Sequence, residues 1–561
     1  MQQSNSWSGN PPAGAEFFDF VVVGSGAAGA LLASRLAEDG RATVCVLEAG
    51  QSDWHPAIHM PAGFVKMIHN PAFTWQFQTA PSPATNSRRI DLTQGRVLGG
   101  STSINGLIYN RGQRADFDSW RDLGNKGWGY ADVLPYFNRS ENRIGFGDAG
   151  FRGRSGKMPV TDIDFKHPLM EAFIEGACEL GMYLNPDYNG ARPDGVNYCQ
   201  RMISDGRRMS SAKAFLSPLR PLQNLRVVTQ AMAGRIRFEQ NKAVGVDYVQ
   251  GKSTHKTVYA RREVILSCGA INTAQLLQLS GLGPASVLRS FGIEPKVDLP
   301  GVGANFRDHF QFRIVARAKG ISTFNELARG SNLIGQIGRW LLKRPSVLGL
   351  GPSPVYFCTR SNSAVSAPDI GGVFSPASFR PGRVGDLDDL PGMTCGFWQH
   401  RPESNGFVQI KSPDARVLPV VQPNYLTSEV DQAVVTGGIR MARRLLQSSA
   451  LAPYFDHETF PGAAAQTDTE LLEAARNFGG SAYHPSGTAK MGRVGDAFAV
   501  VDDELRVRGV ESLRVVDASV MPALPSANTV AATMMIAEKA ADLILNRPPP
   551  APIDPFGERT E

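Results

Sequence analysis

Near its N-terminus the chain carries two apolar runs separated by a stretch with helical spacing. Residues 20–23 form an apolar run of buried-strand length that stops at Gly24, and residues 43–47 form a second run that stops at Glu48. Small and apolar residues between the two runs predict a helix. This order of strand, helix and strand is typical of the first unit of a parallel α/β sheet.

Farther along the chain the hydrophobic pattern predicts two kinds of architecture. Helical periodicity covers residues 116–136, 165–180, 272–279, 470–478 and 531–545, and apolar runs predict strands at residues 225–228, 243–249, 263–267 and 513–517. From residue 314 to about residue 467 the pattern changes to short alternating strands and proline-bearing loops, for example at residues 352–358, 393–399 and 406–410. We therefore expect an α/β lobe into which a lobe with an antiparallel sheet is inserted.

Composition narrows the class of protein. A chain of 561 residues is too long for one simple core, and 42% hydrophobic with 20% charged residues is ordinary for a globular protein. The net charge of +6 comes from 58 basic and 52 acidic residues without a long Lys/Arg run. We therefore expect a protein of two or more lobes with no nucleic-acid partner.

The cysteines and the chain ends bear on the cellular compartment. Six cysteines lie at scattered positions without the spacing of a metal site, so no metal is expected, and Cys45 and Cys268 are expected to be buried thiols. Residues 1–16 lack the basic and apolar parts of a secretory signal, and no run reaches the roughly 18 apolar residues of a membrane span. These features favour a cytoplasmic protein, with peripheral contact to the inner membrane face left open. Residues 1–16 and 547–561 are expected to be loose tails.

The turn after the first strand carries the first chemical signal. Gly24, Gly26 and Gly29 stand in a GxGxxG register, which permits a tight turn, close approach of the backbone to a pyrophosphate, and close packing of the helix on the strand. The N-terminus of that helix would face the phosphate. Glu48 at the end of the second strand can accept hydrogen bonds from both hydroxyls of a ribose. Together these elements predict a dinucleotide site.

A second glycine-rich stretch, residues 96–112, reads RVLGGSTSINGLIYNRG. It is too irregular for a long helix and too apolar for a solvent-exposed loop. A backbone that lies against a flat ligand needs this composition, because glycine removes side-chain bulk where the ligand approaches. A buried turn would have the same composition, so both interpretations stay open at this point.

Five motifs follow one another along the chain. They are GSGAAG with Glu48, GRVLGGSTSINGLIYNRG at residues 95–112, GAINTAQLLQLSGLG at residues 269–283, HPSGTAKMG at residues 484–492 and VVDASVMPALPSANTVAATMMIAEKAAD at residues 515–542. In this order they resemble the FAD-dependent glucose–methanol–choline (GMC) oxidoreductases, over about residues 17–546. Within that family the chain looks most like the choline-dehydrogenase-like bacterial alcohol and sorbose dehydrogenases.

The resemblance implies an α/β fold (α+β overall) with two interleaved domains. A Rossmann-like FAD-binding domain is expected from residues 17–160, 205–310 and 470–546. A substrate-binding domain, built on an antiparallel sheet flanked by helices, is expected from residues 161–204 and 311–469.

The resemblance also implies which residues contact the cofactor. The ADP half of FAD is expected at Gly24, Ser25, Gly26, Ala27, Ala28, Gly29, Glu48 and Ala49, the adenine at Ala233, and the flavin at Val97, Gly100, Asn105, Gly106, Leu107, Ile108, Asp517, Ala518, Asn528 and Thr529. Family members that tether FAD covalently do so through a histidine where this chain has Ile104, so noncovalent FAD is expected.

The resemblance places the catalytic base at His484 and a second active-site residue, His or Asn in the family, at Asn528. An imidazole that titrates near neutrality can take the hydroxyl proton of an alcohol, and the α-hydrogen then leaves as a hydride to flavin N5. The amide of Asn528 can orient the substrate oxygen, but an amide cannot act as a base.

The expected function is FAD-dependent oxidation of an alcohol, with a primary alcohol favoured, to the aldehyde, and transfer of the electrons to a quinone or a dye-like acceptor. An oxidase that passes the electrons to dioxygen and forms hydrogen peroxide is one alternative. A non-redox FAD protein of this fold, a lyase or a photodecarboxylase, is an alternative of another class. A redox-inactive binding protein is disfavoured by the intact pair of His484 and Asn528.

The sequence does not set the identity of the alcohol. Aliphatic, aromatic, furanic and sugar-type alcohols stay open, and no acidic residue stands out as an anchor for a quaternary ammonium group, which disfavours choline. Phe357, Trp398 and His400 are candidates for the lining of the substrate site, and residues 361–368 and 376–391 are candidates for its entrance. The oligomeric state is open.

Overall fold

Two seven-stranded sheets, each with helices packed on it, dominate the described part of the protein, which also contains five two-stranded sheets. The computed structural model describes residues 14–219, 222–362, 364–380 and 385–557. One large hydrophobic core surrounds each sheet. The mixed α/β class expected from the sequence is therefore confirmed. The expected N-terminal tail up to residue 13 and the last four residues of the expected C-terminal tail lie outside the described residues.

The first sheet is the parallel sheet expected around the glycine turn. Its strand order is Leu225–Val228, Val44–Leu47, Glu16–Val23, Thr254–Leu266, Lys242–Gln250 and Ala231–Glu239, and Leu513–Val515 pairs with Thr254–Leu266. The pairs formed by Lys242–Gln250 are antiparallel, and the other pairs are parallel. Residues 20–23 are buried at the centre of this sheet, which explains their unbroken apolar pattern.

The glycine turn fixes helix Ala27–Glu38 against this sheet. Gly24 has a φ of +99°, a conformation that side-chain-bearing residues rarely adopt. A Cβ at Gly29 would lie 2.0 Å from the carbonyl oxygen of Gly24. The helix can therefore approach the strand only because residue 29 is glycine. Its other side packs on helix Thr529–Ile544, which closes the first core.

The second sheet is antiparallel throughout. Its strand order is Phe455–Phe460, Phe310–Ala318, Gly392–Gln399, Ile370–Ser375, Val355–Thr359 and Gly195–Tyr198, and Gly480–Ser481 pairs with Phe310–Ala318. Helices Pro168–Glu179 and Glu429–Leu446 pack on one face of it. Apolar residues alternate along these strands, and Phe312, Ile314 and Phe397 belong to the core under that face.

Two helices in the second half of the chain were not expected from the sequence, where only short strands and loops were predicted. These are Gly330–Leu341 and Glu429–Leu446. The second has the signals of a helix: Ser428 caps its N-terminus by accepting a hydrogen bond from the N–H of Val430, and Val435, Ile439 and Leu446 are buried on one side. The prediction for residues 314–467 was therefore incomplete, because prolines and short strands on both sides obscured the helical period.

Four other helices agree in place with the sequence pattern, and one predicted stretch differs in continuity. They are Arg114–Asp122, Tyr130–Ser140, Gly269–Leu279 and Asp468–Phe478. Helix Ala285–Ser290 and the short helical segments Pro56–His59, Phe64–Met67 and Phe324–Leu327 were not predicted from the sequence. The single helical stretch expected at residues 116–136 is two helices. Gly124 and Gly127 have positive φ angles between them, and these angles interrupt the helix.

The C-terminal segment lies against the body of the protein. The N–H of Ile553 donates to the carbonyl oxygen of Ala131 at 3.0 Å, and the ring of Phe556 lies 5.2 Å from that of Phe151. Ile553 and Phe556 thus contact the body of the protein although Phe556 is exposed, and the expected tail at residues 547–561 stays a prediction.

Some residues near the expected domain boundaries pack in the core of the other domain. Ile203, at the edge of the expected substrate-binding domain, packs in the first core. Leu471 and Ala475, which the sequence assigned to the FAD-binding domain, pack in the second core. We propose that helix Asp468–Phe478 belongs with the second sheet and that the domains otherwise follow the expected segments.

Replacement of Gly29 by alanine should lower the free energy of unfolding by about 1–3 kcal/mol, because the added methyl group overlaps the carbonyl oxygen of Gly24. The midpoint of denaturant unfolding, followed by circular dichroism, measures this loss. Gly437 lies within helix Glu429–Leu446, and a Cβ there would meet nothing within 4 Å. The control Gly437→Ala should therefore leave stability unchanged or raise it by up to about 1 kcal/mol. Equal losses in the two variants would contradict the packing argument.

Candidate active site

One cavity connects the two sheets. The residues that follow the parallel strands of the first sheet line it on one side, among them Gly24, Glu48, Cys268 and Asp517. The exposed face of the second sheet lines it on the other side. Ligands of α/β sheets bind outside the carboxyl ends of the parallel strands, and this cavity has that position. Cys268 is only half-buried because it lines the cavity, whereas Cys45 is buried as expected.

The two acidic residues of the cavity lie at the end formed by the first sheet. Glu48 accepts hydrogen bonds from the N–H of Ser25 at 3.0 Å, the hydroxyl of Ser25 at 2.5 Å and the N–H of Gly50 at 2.8 Å. Burial raises the pKa of this carboxyl, and the hydrogen bonds from Ser25 and Gly50 oppose that rise. A carboxylate held in this way can still accept from the hydroxyls of a ribose.

Asp517 is held just as firmly. Its carboxylate accepts from the N–H of Gly269 at 2.9 Å, the hydroxyl of Thr273 at 2.6 Å and the hydroxyl of Ser519 at 2.5 Å. Burial raises the pKa of this carboxyl, and these hydrogen bonds oppose the rise. Both acids of the cavity are therefore occupied in fixing the backbone around the first sheet.

The glycine-rich segments leave room for a ligand at this end. A Cβ at Gly26 would meet nothing within 4 Å, so the absent side chain leaves open space beside the cavity. A Cβ at Gly100 would lie 2.7 Å from the Cα of Gly26. Residues 96–112 thus form a buried turn, and several of them also line the cavity. The interpretation as a buried turn and the interpretation as a ligand-facing backbone are therefore compatible.

Three of the longer described helices begin at the cavity wall, namely Ala27–Glu38, Gly269–Leu279 and Thr529–Ile544. None of their N-cap residues, Gly26, Cys268 and Asn528, caps the helix with a side chain. The N–H of Gly269 donates to Asp517. The positive dipole ends of the three helices favour a negative group such as a pyrophosphate. The glycine turn, the buried acid and these helix ends fit a dinucleotide such as FAD.

Most of the residues expected at the cofactor line this cavity. They are Gly24, Ser25, Gly26, Ala27, Ala28, Glu48, Ala49, Gly100, Asn105, Gly106, Leu107, Ile108, Ala233, Asp517, Ala518, Asn528 and Thr529. Gly29 and Val97 do not line it. Gly29 packs against Gly24, and Val97 is buried in a small core with Ile58 and Ile104. These two residues therefore support the site from behind.

His484 lies in a chain of hydrogen bonds that ends at the cavity. Its Nδ1 is 2.8 Å from Nδ1 of His309, and Nε2 of His309 is 2.9 Å from the carbonyl oxygen of His400. On the other side of the ring, Nε2 of His484 is 3.0 Å from the amide nitrogen of Asn528. His309 and His484 are both buried.

The carbonyl oxygen of His400 fixes the proton positions in this chain. A carbonyl only accepts, so Nε2 of His309 carries a proton and donates it. Burial lowers the pKa of His309 to about 4, so this ring is neutral at pH 7 and its Nδ1 has no proton. Nδ1 of His484 must therefore donate to His309. It follows that Nε2 of a neutral His484 has a lone pair, which the amide of Asn528 meets at the cavity wall.

Asp308 holds the loop that carries His484. One carboxylate oxygen accepts from the N–H of His484 at 2.7 Å, and the other accepts from the hydroxyl of Ser481 at 2.5 Å and from the hydroxyl of Tyr425. Burial raises the pKa of Asp308 to about 6, and these hydrogen bonds oppose the rise. Tyr483 has a φ of +64°, so the loop turns sharply just before His484. The start of strand Phe310–Ala318 thus sets the position of the histidine.

Sequence reasoning missed Asp308 and His309 as parts of this site. The only sequence signal was a turn that leads into an Asp-His pair, and nothing in the pattern places that turn beside His484. Of the three expected lining residues, only Trp398 lines the cavity, with its ring 6.1 Å from that of His484. Phe357 and His400 do not line it.

The reasons for these two misses differ. Phe357 points into the second core, where its ring occupies the space that a side chain at Gly372 would need. His400 is buried, with its Nε2 at 3.5 Å from the Sγ of Cys358. Among the described residues of the two expected entrance loops, Phe379 and Gly385 line the cavity, and none of residues 361–368 does.

Comparisons with known proteins agree with this architecture. Two family models described as GMC oxidoreductase match residues 18–311 and 402–537. An oxygen-dependent choline dehydrogenase of Brucella canis is 40% identical over 538 residues, which are 95% of this chain and 96% of that protein.

Two solved structures have the same fold. A pyridoxine 4-oxidase from Mesorbium loti gives a TM-score of 0.84 at 29% identity, with 94% of this chain and 99% of that chain covered. A formate oxidase variant of Aspergillus oryzae gives a TM-score of 0.88 at 26% identity, with 95% of this chain and 98% of that chain covered. The chain therefore belongs to the GMC oxidoreductase family, and it is an FAD-dependent enzyme that oxidises CH–OH donors.

Proposed function

We propose that His484 is the base that removes the hydroxyl proton of the alcohol. The observation that carries this proposal is the hydrogen-bonded chain through His309, which leaves the lone pair of His484 Nε2 at the cavity wall. A base must be unprotonated before it acts, and burial of His484, with His309 as its neighbour, lowers its pKa well below the usual 6.5.

We propose that Asn528 positions the substrate oxygen at this base. Its amide nitrogen contacts His484 Nε2, and its Oδ1 is buried without a partner among the described residues. A substrate hydroxyl that displaces the Asn528 amide from His484 Nε2 can give its proton to this nitrogen while it accepts from the amide. His309 then acts as a positioning residue, since its Nδ1 holds the Nδ1–H of His484 and orients the ring.

FAD bound in the cavity supplies the acceptor for the hydride that leaves the carbinol carbon. We propose that the chain holds this cofactor without a covalent bond, because Ile104 occupies the position at which family members carry the tethering histidine, and its side chain has no nucleophile. The residues expected at the cofactor that line the cavity would bind it, with Glu48 at the ribose and the N-terminus of helix Ala27–Glu38 at the pyrophosphate.

We propose a primary alcohol as the substrate and an aldehyde as the product. The acceptor that takes the electrons onward stays open between a quinone or dye-like compound and dioxygen. The related proteins carry both kinds of name, an oxygen-dependent choline dehydrogenase and a pyridoxine 4-oxidase. Peroxide formation during turnover in air distinguishes the two acceptors.

We infer that the enzyme is cytoplasmic and contacts an anionic membrane surface through helix Gly330–Leu341. No described helix is long and apolar enough to cross a bilayer. This helix has no buried residue, and Ile334, Leu341 and Leu342 are 71%, 66% and 68% exposed. The segment carries Arg339, Lys343 and Arg344, and no acidic residue occurs between Glu326 and Asp369. An apolar face beside basic residues is typical of helices that lie in an anionic lipid interface.

Replacement of His484 by alanine should slow anaerobic reduction of the flavin by alcohol by at least about 10²-fold, because proton removal loses its base. Stopped-flow loss of the flavin absorption band measures the rate. FAD content, determined after heat denaturation releases the cofactor, should match that of the wild type. Reduction of the variant at the wild-type rate would show that His484 is not the base.

The rate of flavin reduction should be constant between pH 7 and pH 9 and should fall only below about pH 6.5. A base acts in its unprotonated form, so its rate falls as the pH drops through its pKa, and a lowered pKa moves that fall to lower pH. Single-turnover measurements across this range test the prediction. A rising limb centred at or above pH 7 would contradict the assignment of a desolvated imidazole.

Vesicles that contain phosphatidylglycerol should sediment with the wild-type enzyme and less with the double variant Ile334→Ser, Leu341→Ser, because these side chains form the exposed apolar face. Val494 and Phe498, exposed on a different segment, provide the matched control pair of serine substitutions. Wild-type binding should weaken when the vesicles contain only phosphatidylcholine. An equal loss in both double variants, or a change in oligomeric state instead of vesicle binding, would reject the membrane contact.

A further inference from the structure

The second sheet presents a polar face to the cavity. Along strand Phe310–Ala318, Phe312 and Ile314 are buried in the second core, and Gln311 and Arg313 between and before them line the cavity. Period-two alternation places these two side chains on the opposite face of the sheet. On this face Gln311 is paired in register with Trp398, whose ring lies 6.1 Å from the ring of His484.

Arg313 is the cation of this face, and it lacks a partner. No described residue accepts a hydrogen bond or forms an ion pair with its guanidinium group. Burial lowers its pKa, and the nearby phenol of Tyr483 opposes this. The stem of Arg313 lies over Gly396, since a Cβ at residue 396 would lie 3.4 Å from the Cγ of Arg313, in van der Waals contact. Gly396 thus leaves space for the arginine above the centre of the sheet.

The buried arginines of the described structure have partners. Arg111 and Arg152 pair with Glu141, and Arg143 pairs with Asp162 at 2.5 Å. Arg208, which has no carboxylate partner, donates to the carbonyl oxygen of Ile58 at 2.9 Å. Arg313 is half-buried at the cavity wall and has no such partner among the described residues. A ligand in the cavity can therefore supply its counter-charge.

Two further donors on this face lack acceptors. The hydroxyl of Ser375 and the indole N–H of Trp398 are buried without a partner among the described residues, and both side chains line the cavity. Strand pairing places Trp398 opposite Gln311, and Ser375 opposite Thr394, in the rows on either side of the row that contains Arg313 and Gly396. An indole N–H can only donate. A cation and two unsatisfied donors around one space are the groups that an anion needs.

No acidic side chain lines this end of the cavity in the described structure. Glu48 and Asp517 are the acids of the lining, and both are bound at the end of the first sheet. A substrate with a quaternary ammonium group would meet a guanidinium here and no carboxylate. The electrostatics of the site therefore favour a negatively charged substrate and disfavour choline.

We propose that the substrate is an alcohol that also carries a carboxylate, which Arg313 binds while the hydroxyl reaches His484. This inference rests on the proposed function of His484. The planar fork of a guanidinium matches a carboxylate with two parallel hydrogen bonds, and one cation balances one negative charge. A phosphate dianion would leave a charge uncompensated. In the reaction the carbinol carbon loses a hydride to FAD, the hydroxyl loses its proton to His484 Nε2, and the carboxylate is unchanged.

Matched pairs of an acid and its methyl ester test the charge requirement. In anaerobic stopped-flow experiments, 4-(hydroxymethyl)benzoate and a series of ω-hydroxy acids should reduce the flavin with a higher kcat/KM than their esters, and choline should be poor. The Arg313→Met variant, whose apolar stem can still lie over Gly396, should reduce the acid-to-ester ratio by about 10- to 100-fold, as expected for a lost charge-assisted hydrogen bond.

Arg317 provides a matched control. Arg317 lies on the same strand as Arg313, and period-two alternation places it on the same face of the sheet. It pairs with Asp388 at 2.6 Å and does not line the cavity. Arg317→Met should leave the acid-to-ester ratio as in the wild type. FAD content and circular dichroism of both variants establish that they are folded.

A binding measurement separates this proposal from catalysis. Benzoate, 4-methylbenzoate and inorganic phosphate cannot be oxidised at a carbinol, and perturbation of the flavin spectrum reports their binding. The carboxylates should bind to wild type at least about 10-fold more tightly than to Arg313→Met, and phosphate should show no such difference. Esters that reduce the flavin as well as acids, with equal carboxylate binding in both proteins, would overturn the carboxylate assignment and leave the role of His484 intact. Failure of every alcohol to reduce the flavin would overturn both.

Discussion

The site depends on the hydrogen-bonded chain that runs from the carbonyl oxygen of His400 through His309 to His484. Buried imidazoles are costly unless both ring nitrogens have partners, and a carbonyl at one end permits only one arrangement of protons. The backbone carbonyl of His400 thereby sets the tautomers of His309 and His484. Asp308, next to His309 in the chain, holds the loop of His484 by its N–H, so one dipeptide at the start of a strand fixes both the ring and its backbone.

Both ends of the cavity favour negatively charged ligand groups. At the end of the first sheet, helix N-termini offer positive dipole ends, and both carboxylates are tied to backbone and hydroxyl donors. At the other end, Arg313 and two unsatisfied donors face the same space. The cavity thus has more capacity for negative charge than for positive charge. This asymmetry is the basis on which we infer a substrate that carries a negative charge.

Sequence alone predicted the parts of this protein that local rules govern. The first strand, the glycine turn, the helix and Glu48 are adjacent in the chain. The turn requires glycine at residues 24 and 29 for steric reasons. The end of the cavity formed by the first sheet could therefore be predicted. Helix Glu429–Leu446 was missed because surrounding prolines obscured its period, although its cap and apolar face were present. His309 and Arg313 could not be assigned, because their roles depend on residues about 170 positions away in the chain. Their distance from His484 is a property of the fold and not of any local pattern.

The alternation of the second sheet explains how reaction and specificity can be separated in such an enzyme. Residues 312 and 314 point into the core and sustain the fold, whereas residues 311 and 313 point into the cavity. A change at residue 313 or 375 should therefore alter what the cavity binds without removing a residue of the core, whereas Trp398 belongs both to the cavity wall and to that core. His484 is held from a different direction, by the start of the strand and by helix Thr529–Ile544 through its N-cap residue Asn528. The hydrogen bonds that hold His484 come from Asp308, His309 and Asn528 and involve neither Arg313 nor Ser375, so this geometry can persist while the charge of the substrate pocket changes.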